Sequence, residues 1–272
     1  MHTTGATVTR RVFRGFSLFW PVHPPKQSGC APKSGESPVS TRSPQNTAIS
    51  HDLAGTRVVA SQKAFVMVIY APRRCIMSNQ ILVFYGSYRS DRAGIRLATY
   101  IVDGFTRRGD CPELIDAKAV NLPMLDRMYK EYQAGSAPPV LENLATKIRA
   151  ADAFVFVTGE YNWGVQPGLK NLTDHFLEEW FWRPAGIASY SAGRLAGARS
   201  NLAWHGILSE MGMVVISSTV MVGPITAALD PNGQPIGEAG KALDESFARF
   251  AADLVWWSEA AKAQLQSKKP PY

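Results

Sequence analysis

The residues Gly86-Ser87-Tyr88-Arg89-Ser90-Asp91-Arg92-Ala93-Gly94 follow the apolar run Ile81–Tyr85 and lead into a helical pattern. Such a strand-to-helix loop presents unpaired backbone N–H groups at the positive end of a helix dipole, and both favour an anion. Ser87 and Ser90 add hydroxyl donors, while Arg89 and Arg92 add charge and a planar donor fork. Together these groups suit a phosphate. The plainer alternative is that Gly86 and Ser90 only make a turn and a cap. The loop is neither G-x-G-x-x-G nor G-x-x-x-x-G-K-[ST], so a dinucleotide fingerprint and a nucleotide-triphosphatase loop are both absent.

Two further stretches carry chemistry. The run Ala153–Thr158 (AFVFVT) passes into Gly159-Glu160-Tyr161-Asn162-Trp163-Gly164 and then Gln166-Pro167-Gly168-Leu169-Lys170-Asn171. A tight turn there would set backbone amides, aromatic rings and an amide side chain at the end of a central strand. A flat heteroaromatic ligand needs that combination of stacking surface and polar edge contacts. Tyr161 and Trp163 could supply the surface, and Asn162 with the backbone N–H groups could supply the edge. The third stretch, Tyr190-Ser191-Ala192-Gly193-Arg194, follows another strand-like run, and its small residues would let backbone approach a ligand closely.

The three stretches resemble, in order, the loops of the NADPH-dependent FMN reductase family, which includes flavodoxin-like quinone, chromate and azo-dye reductases. G-S-x-R-x-x-R-x-G resembles the family's phosphate loop, which implies FMN-phosphate contacts for Ser87, Tyr88, Arg89, Ser90, Arg92 and Gly94. The second stretch resembles P-E-Y-N…P-x-x-L-K-N-x-x-D, which implies flavin-ring contacts for Glu160, Tyr161, Asn162 and Trp163. Gly159 stands where the family usually has Pro, which frees a backbone angle that Pro would fix. The third resembles S-x-G…G-G-x-R, which implies that Ser191, Ala192 and Gly193 border the ring's other edge. The resemblance spans about Ile81 to Val255. It implies FMN as cofactor, NADPH or NADH as co-substrate and a small electron acceptor as partner. A homodimer or homotetramer, a ping-pong reaction and a cytoplasmic location are also implied. The competing reading is a flavodoxin-type electron carrier reduced by a protein partner. Carriers tend to be strongly acidic for docking. No catalytic side chain is expected, Glu160 included, because hydride chemistry belongs to the cofactor.

These loops need a scaffold. Ile81–Tyr85, Glu113–Asp116, Ala153–Thr158, Ile187–Tyr190 and Met213–Val222 read as strands, the second more polar and nearer an edge. Between them lie helical patterns: Ala98, Ile101, Val102 and Phe105 up to Gly109; Pro138–Ala150; a helix from Pro167 towards Trp180; and Leu195–Gly212. Leu243, Phe247, Phe250, Leu254 and Trp257 stripe a last helix, and Ala117–Ser136 reads as a long loop. Five strands alternating with five helices predict an α/β, doubly wound parallel sheet with right-handed crossovers. The family resemblance implies the flavodoxin-like order 2-1-3-4-5. Ligands in such sheets sit beyond the strands' carboxyl ends at the switch point, where all three loops fall.

Other residues fit structural roles. Lys170, Asn171 and Asp174 suit a helix start that ties down a loop, Arg199 a structural or subunit contact, and His175 and His205 packing. Trp180-Phe181-Trp182 suits a subunit interface or the wall of a substrate mouth. The three cysteines lack C-x-x-C spacing, which argues against a disulfide framework or a zinc ribbon and fits a reducing compartment.

The net charge of +7 invites a nucleic-acid reading that its distribution removes. Residues 1–77 hold ten of the 29 Lys+Arg but only two of the 22 acids, Glu36 and Asp52. The remaining 19 cations and 20 acids leave the body near neutral, with no excess to neutralise phosphates. No apolar run approaches the roughly 18 residues of a membrane span. The chain divides into a basic extension (1–77), a flavodoxin-like domain (78–266) and a flexible tail (267–272). Pro21–Pro44 reads as disordered, and only Phe65–Tyr70 could pair as a strand. A transit peptide, a twin-arginine signal at Arg10-Arg11, or a true start at Met77 would each explain the extension. The start at Met77 is favoured, because it directly precedes the first strong strand.

If the first loop holds a phosphate, Arg89→Ala weakens FMN retention at least tenfold, since charge-assisted contacts to phosphate are among the stronger hydrogen bonds. Equilibrium dialysis measures it, and unchanged affinity removes the assignment.

Overall fold

A computed structural model describes residues 78–272. The readings of the extension, including the strand at Phe65–Tyr70, the targeting signals and the start at Met77, lie outside the described residues. Along the chain the elements are β1 (Gln80–Tyr85), α1 (Ile95–Arg108), β2 (Cys111–Asp116), α2 (Ala117–Val120), α3 (Pro139–Ala150) and β3 (Ala153–Gly159). They continue with α4 (Pro167–Asp174), β4 (Pro184–Tyr190), α5 (Ala198–Glu210), β5 (Val214–Val215), β6 (Val220–Val222), α6 (Ile225–Ala228) and α7 (Gly237–Ser267). The strands pair in parallel in the order β2-β1-β3-β4-β5, as expected, and β6 also pairs with β4.

The central strands are buried on both faces because each face is covered by helices. Ile81, Val83, Val155 and Val157 point into a layer with Leu97 and Ile101 of α1 and Phe250 and Leu254 of α7. Leu82, Phe84, Phe154 and Phe156 point the other way, against Leu144 and Ile148 of α3, Leu169 of α4 and Trp204 of α5. Register sets Phe84 directly beside Phe156. Their rings stack at 5.3 Å, and Phe156 stacks on Trp204 at 5.7 Å. Trp180 meets Phe84 and Phe154 edge-on at 5.2 and 5.0 Å.

Four readings need correction. The expected fifth strand is broken. From Ala185↔Val215 to Ala188↔Val220 the register advances three residues on β4 and five on its partner, so two residues bulge out. The Ser218 N–H leaves the ladder and donates instead to Asp253 of α7 at 3.1 Å. The helix from Pro167 stops at Asp174, and Glu178–Trp180 forms a separate 3-10 turn. The buried carboxylate of Glu179 holds that turn by accepting from the Leu177 N–H at 3.3 Å and pairing with Arg149 at 2.6 Å. Trp180 is therefore a fully buried core residue rather than interface or substrate mouth. Cys111 is disulfide-bonded, against the expectation from the cysteine spacing.

The loop 117–136 carries α2, capped by Asp116 accepting from the Lys118 N–H at 3.0 Å, and a 3-10 turn at Tyr129–Glu131. After α7 the chain folds back, so that the Tyr272 ring packs on Phe181 and Trp182. Among the described residues no helix is long and apolar enough to cross a membrane.

Removing the Trp180 indole leaves a large cavity among four phenylalanines, Phe84, Phe154, Phe156 and Phe176. Trp180→Ala therefore lowers unfolding free energy by about 3–5 kcal/mol. Urea denaturation measures it, and a loss under 1 kcal/mol places Trp180 outside the core.

Candidate functional site

Because the strands run parallel, the loops after β1, β3 and β4 leave the sheet on one edge. They enclose a cavity of about 270 Å3. Among the residues proposed from sequence, Ser87, Arg89, Arg92, Glu160, Tyr161, Ser191 and Ala192 line it. Tyr88, Ser90, Gly94, Asn162, Trp163 and Gly193 do not. Tyr190, Asp91 and Ile225 line it without having been singled out. Tyr190 stood within a quoted motif, whereas nothing in the sequence around Ile225 marked it.

The first loop is held by close backbone packing. A Cβ on Gly86 would sit 2.1 Å from the Leu169 Cβ, so only glycine lets the end of β1 touch the start of α4. Ser87 Oγ lies 3.2 Å from the Tyr161 hydroxyl, which joins the first loop to the second. The two arginines have different surroundings. Arg92 makes a two-pronged contact with Asp116, each N···O at 2.7 Å, and donates to the Ser87 carbonyl at 3.3 Å. Its charge is thus balanced by β2. The Arg89 guanidinium is exposed and forms no ion pair or hydrogen bond among the described residues, although its carbonyl accepts from Lys118 Nζ at 3.4 Å. Tyr88 turns away and lays its ring over Gly168.

The second loop is a two-residue reversal. Tyr161 and Gly164 exchange both backbone hydrogen bonds, at 3.1 and 2.9 Å. Asn162 and Trp163 between them have φ of 48° and 75°. Asn tolerates this region, but a bulky residue there carries strain of roughly 1–3 kcal/mol. Trp163 is 72% exposed, and the Arg199 guanidinium lies 4.0 Å from its ring centroid. Arg199 is in turn ion-paired with Glu160, which also accepts from the Arg199 N–H at 3.1 Å. Glu160 thereby holds the turn against α5. Lys170 pairs with Asp174 at 2.5 Å, and Asn171 bridges the Leu125 N–H and the Pro123 carbonyl, both at 2.8 Å. Asn171 thus ties down the loop 117–136, as read from sequence, whereas Lys170 and Asp174 pair within α4 itself.

The departure at Gly159 has a physical reason. Its N–H donates to Gln166 Oε1 at 2.9 Å, and proline has no N–H to give. Gln166 is fully buried, and its Nε2 donates to the Tyr190 hydroxyl at 3.0 Å. A Cβ on Gly94 would lie 2.0 Å from the Tyr190 ring, so Gly94 is a seat for that ring. Burial raises the Tyr190 phenol pKa, and burial with the neighbouring Tyr190 raises that of Tyr85 further. Both stay protonated through the physiological range.

In the third loop Ser191 Oγ donates to the Gly193 carbonyl at 2.6 Å, and the Ile225 N–H donates to the Ser191 carbonyl at 3.0 Å. The latter brings α6 to the cavity wall. His175 is buried, with Nδ1 at 2.7 Å from the Asn171 carbonyl. No cluster of His, Cys, Asp or Glu that could hold a metal occurs among the described residues.

A doubly wound parallel sheet with three switch-point loops around one cavity defines a flavodoxin-like domain. The chain belongs to the NADPH-dependent FMN reductase family, whose sequence profile matches residues 79–227. It is 27% identical over 158 residues to an NAD(P)H-dependent FMN reductase of Nectria sp, covering 56% of this chain and 78% of that protein. It is 36% identical over 78 residues to an NAD(P)H-dependent FMN reductase of Saccharomyces cerevisiae, covering 29% and 40%. It is 34% identical over 130 residues to a quinone reductase of Escherichia coli K12, covering 46% and 65%. The match thus spans less than two thirds of the yeast and Escherichia coli proteins. The fold is similar to that of FerB, a flavoenzyme NAD(P)H:(acceptor) oxidoreductase of Paracoccus denitrificans. That likeness has a TM-score of 0.55 at 21% identity and covers 66% of this chain and 98% of the other.

Although Gly159→Pro restores the family's usual residue, it deletes the donor to a buried amide oxygen. We expect a loss of about 1–3 kcal/mol of stability, read from chemical denaturation. Unchanged stability removes the role assigned to that hydrogen bond.

Proposed function

We propose that the protein is an NAD(P)H-dependent flavin reductase that holds FMN in the cavity between the three loops. The observation that carries this reading is the convergence of those loops on one cavity that has an uncompensated cation, Arg89, at its rim. Donor chemistry fits the group. Ser87, Arg89 and the backbone N–H groups ahead of α1 present positive charge and donors to a phosphate. The cavity volume of about 270 Å3 is small for a whole ligand pocket, for which ~300 Å3 is the low end. It suits the phosphate and its sugar-alcohol chain, with the flat ring lying at the mouth. There Tyr161, Asn162 and Trp163 would face one edge and Ser191, Ala192 and Gly193 the other. Tyr88, Ser90, Arg92, Gly94 and Glu160 complete the set by shaping the loops. Arg92 fixes the first loop through Asp116, and Glu160 fixes the second through Arg199.

Held by these loops, FMN would supply the redox chemistry: hydride acceptance at N5 from NAD(P)H and electron delivery to a small acceptor such as a free flavin or a quinone. The chain's own contribution is binding and orientation. No side chain is assigned a proton-transfer step. The family's description favours NADPH, and among the described residues no arginine pocket for a 2′-phosphate stands out. The reading includes a homodimer or homotetramer and a cytoplasmic location.

Anaerobic stopped-flow mixing of the FMN-loaded protein with NADPH and then NADH tests the reading through flavin absorbance. Bleaching within seconds is expected, and the faster donor identifies the co-substrate. Bleaching only over hours overturns the reductase in favour of a carrier reduced by a protein partner. Failure to bind flavin overturns the site.

A further inference from the structure

Tyr190 heads the third loop, and the family resemblance gives it no ligand role, yet its side chain is closely held in the cavity wall. It sits at the end of β4 in register with Gly159 of β3. Its ring reaches across the end of β3 towards the start of α1. A Cβ on Gly159 would lie 3.0 Å from the ring and one on Gly94 would lie 2.0 Å from it. Those two glycines mark the two ends of the proposed ligand. Gly94 closes the phosphate loop, and Gly159 opens the turn that faces the flat ring. Any group that joins the phosphate to the ring must therefore pass over Tyr190, which lines the cavity between them.

The hydrogen-bond polarity of the phenol is fixed. Gln166 Oε1 accepts from the Gly159 N–H at 2.9 Å, which orients the amide so that Nε2 donates to the Tyr190 oxygen at 3.0 Å. Tyr190 is thus an acceptor towards the protein. Its neighbour Tyr85, with ring centroids 6.4 Å apart, turns its own hydroxyl to the Arg92 carbonyl at 3.4 Å. A phenol carries one donor and two acceptor sites. Accepting from Gln166 leaves the Tyr190 proton to the groups that face its oxygen at the cavity wall, the Tyr85 and Ser87 hydroxyls and any ligand hydroxyl laid over them.

We propose that Tyr190 positions the flavin by forming the floor beneath its ribityl chain and donating a hydrogen bond to that chain's hydroxyls. The inference rests on the flavin site proposed above. Gly94, Gly159 and Gln166 are its accommodations: two positions without Cβ that admit the ring, and one amide that sets the direction of the phenol. Tyr190 is a positioning residue with no part in electron transfer.

The test is fluorescence titration of the full-length apoprotein and its Tyr190→Phe variant with three flavins. FMN carries phosphate and ribityl chain, riboflavin the chain alone, and lumiflavin neither. Thermal melts followed by circular dichroism confirm that the variant folds. We expect Tyr190→Phe to weaken FMN and riboflavin by the same factor, about five- to tenfold for one neutral hydrogen bond, and to leave lumiflavin within twofold. A purely structural role would move none of the three differentially. Equal weakening of all three places the contact on the ring and overturns the proposal, as does unchanged affinity for FMN and riboflavin. If the wild-type chain binds none of them, the underlying flavin site fails, and the proposal falls for that distinct reason.

Discussion

The site depends on one steric constraint, the contact of backbone with backbone between the end of β1 and the start of α4. At Gly86 no side chain can be accommodated, because Leu169 occupies the space. The contact holds the first and second loops close enough for Ser87 to reach Tyr161. Parallel pairing alone would place the loops on one edge of the sheet. The missing Cβ turns that shared edge into an enclosed cavity. The stacked rings of Phe84, Phe156 and Trp204 lie on the same face of the sheet as Leu169, so this contact is backed by the aromatic side of the core.

Charge is distributed with equal economy. Of the two arginines in the first loop, Arg92 is neutralised within the protein and the Arg89 guanidinium has no partner among the described residues. Asp116, the last residue of β2, takes both prongs of Arg92. An edge strand with no residue in the cavity thereby fixes the shape of the loop. Glu160 does the same for the second loop through Arg199, which also covers one face of the exposed Trp163. In each loop one ion pair shapes the backbone and leaves a different group facing the open space.

Much of this was legible in the sequence. The apolar runs marked β1, β3 and β4, and the glycine-bearing loops after them marked the cavity, because period and punctuation are local properties. What sequence missed depended on distant partners. The break in the fifth strand requires Asp253 to take the Ser218 N–H, a pairing 35 residues apart that no periodicity announces. Trp180 looked like surface because it lay in an aromatic cluster at an apparent helix end. Glu179 turns the chain there and sends the indole inward. Gly159 was read as backbone freedom, whereas its N–H is what matters. Gln166 could not be paired with Tyr190 until the sheet register placed them together. Ile225 reaches the cavity only through its N–H bond to the Ser191 carbonyl.

The interrupted strand bears on how copies of the chain can meet. An open sheet invites a further strand at its edge, and proteins blunt that edge with short strands and bulges. Here the outer strand offers two ladder residues at β5 and three at β6, separated by a segment pinned to α7. A foreign strand laid along this margin would find no uninterrupted row of amides to pair with. Contacts between copies on that side must therefore be made by side chains on helices and loops. The central sheet is closed to continuation across that edge.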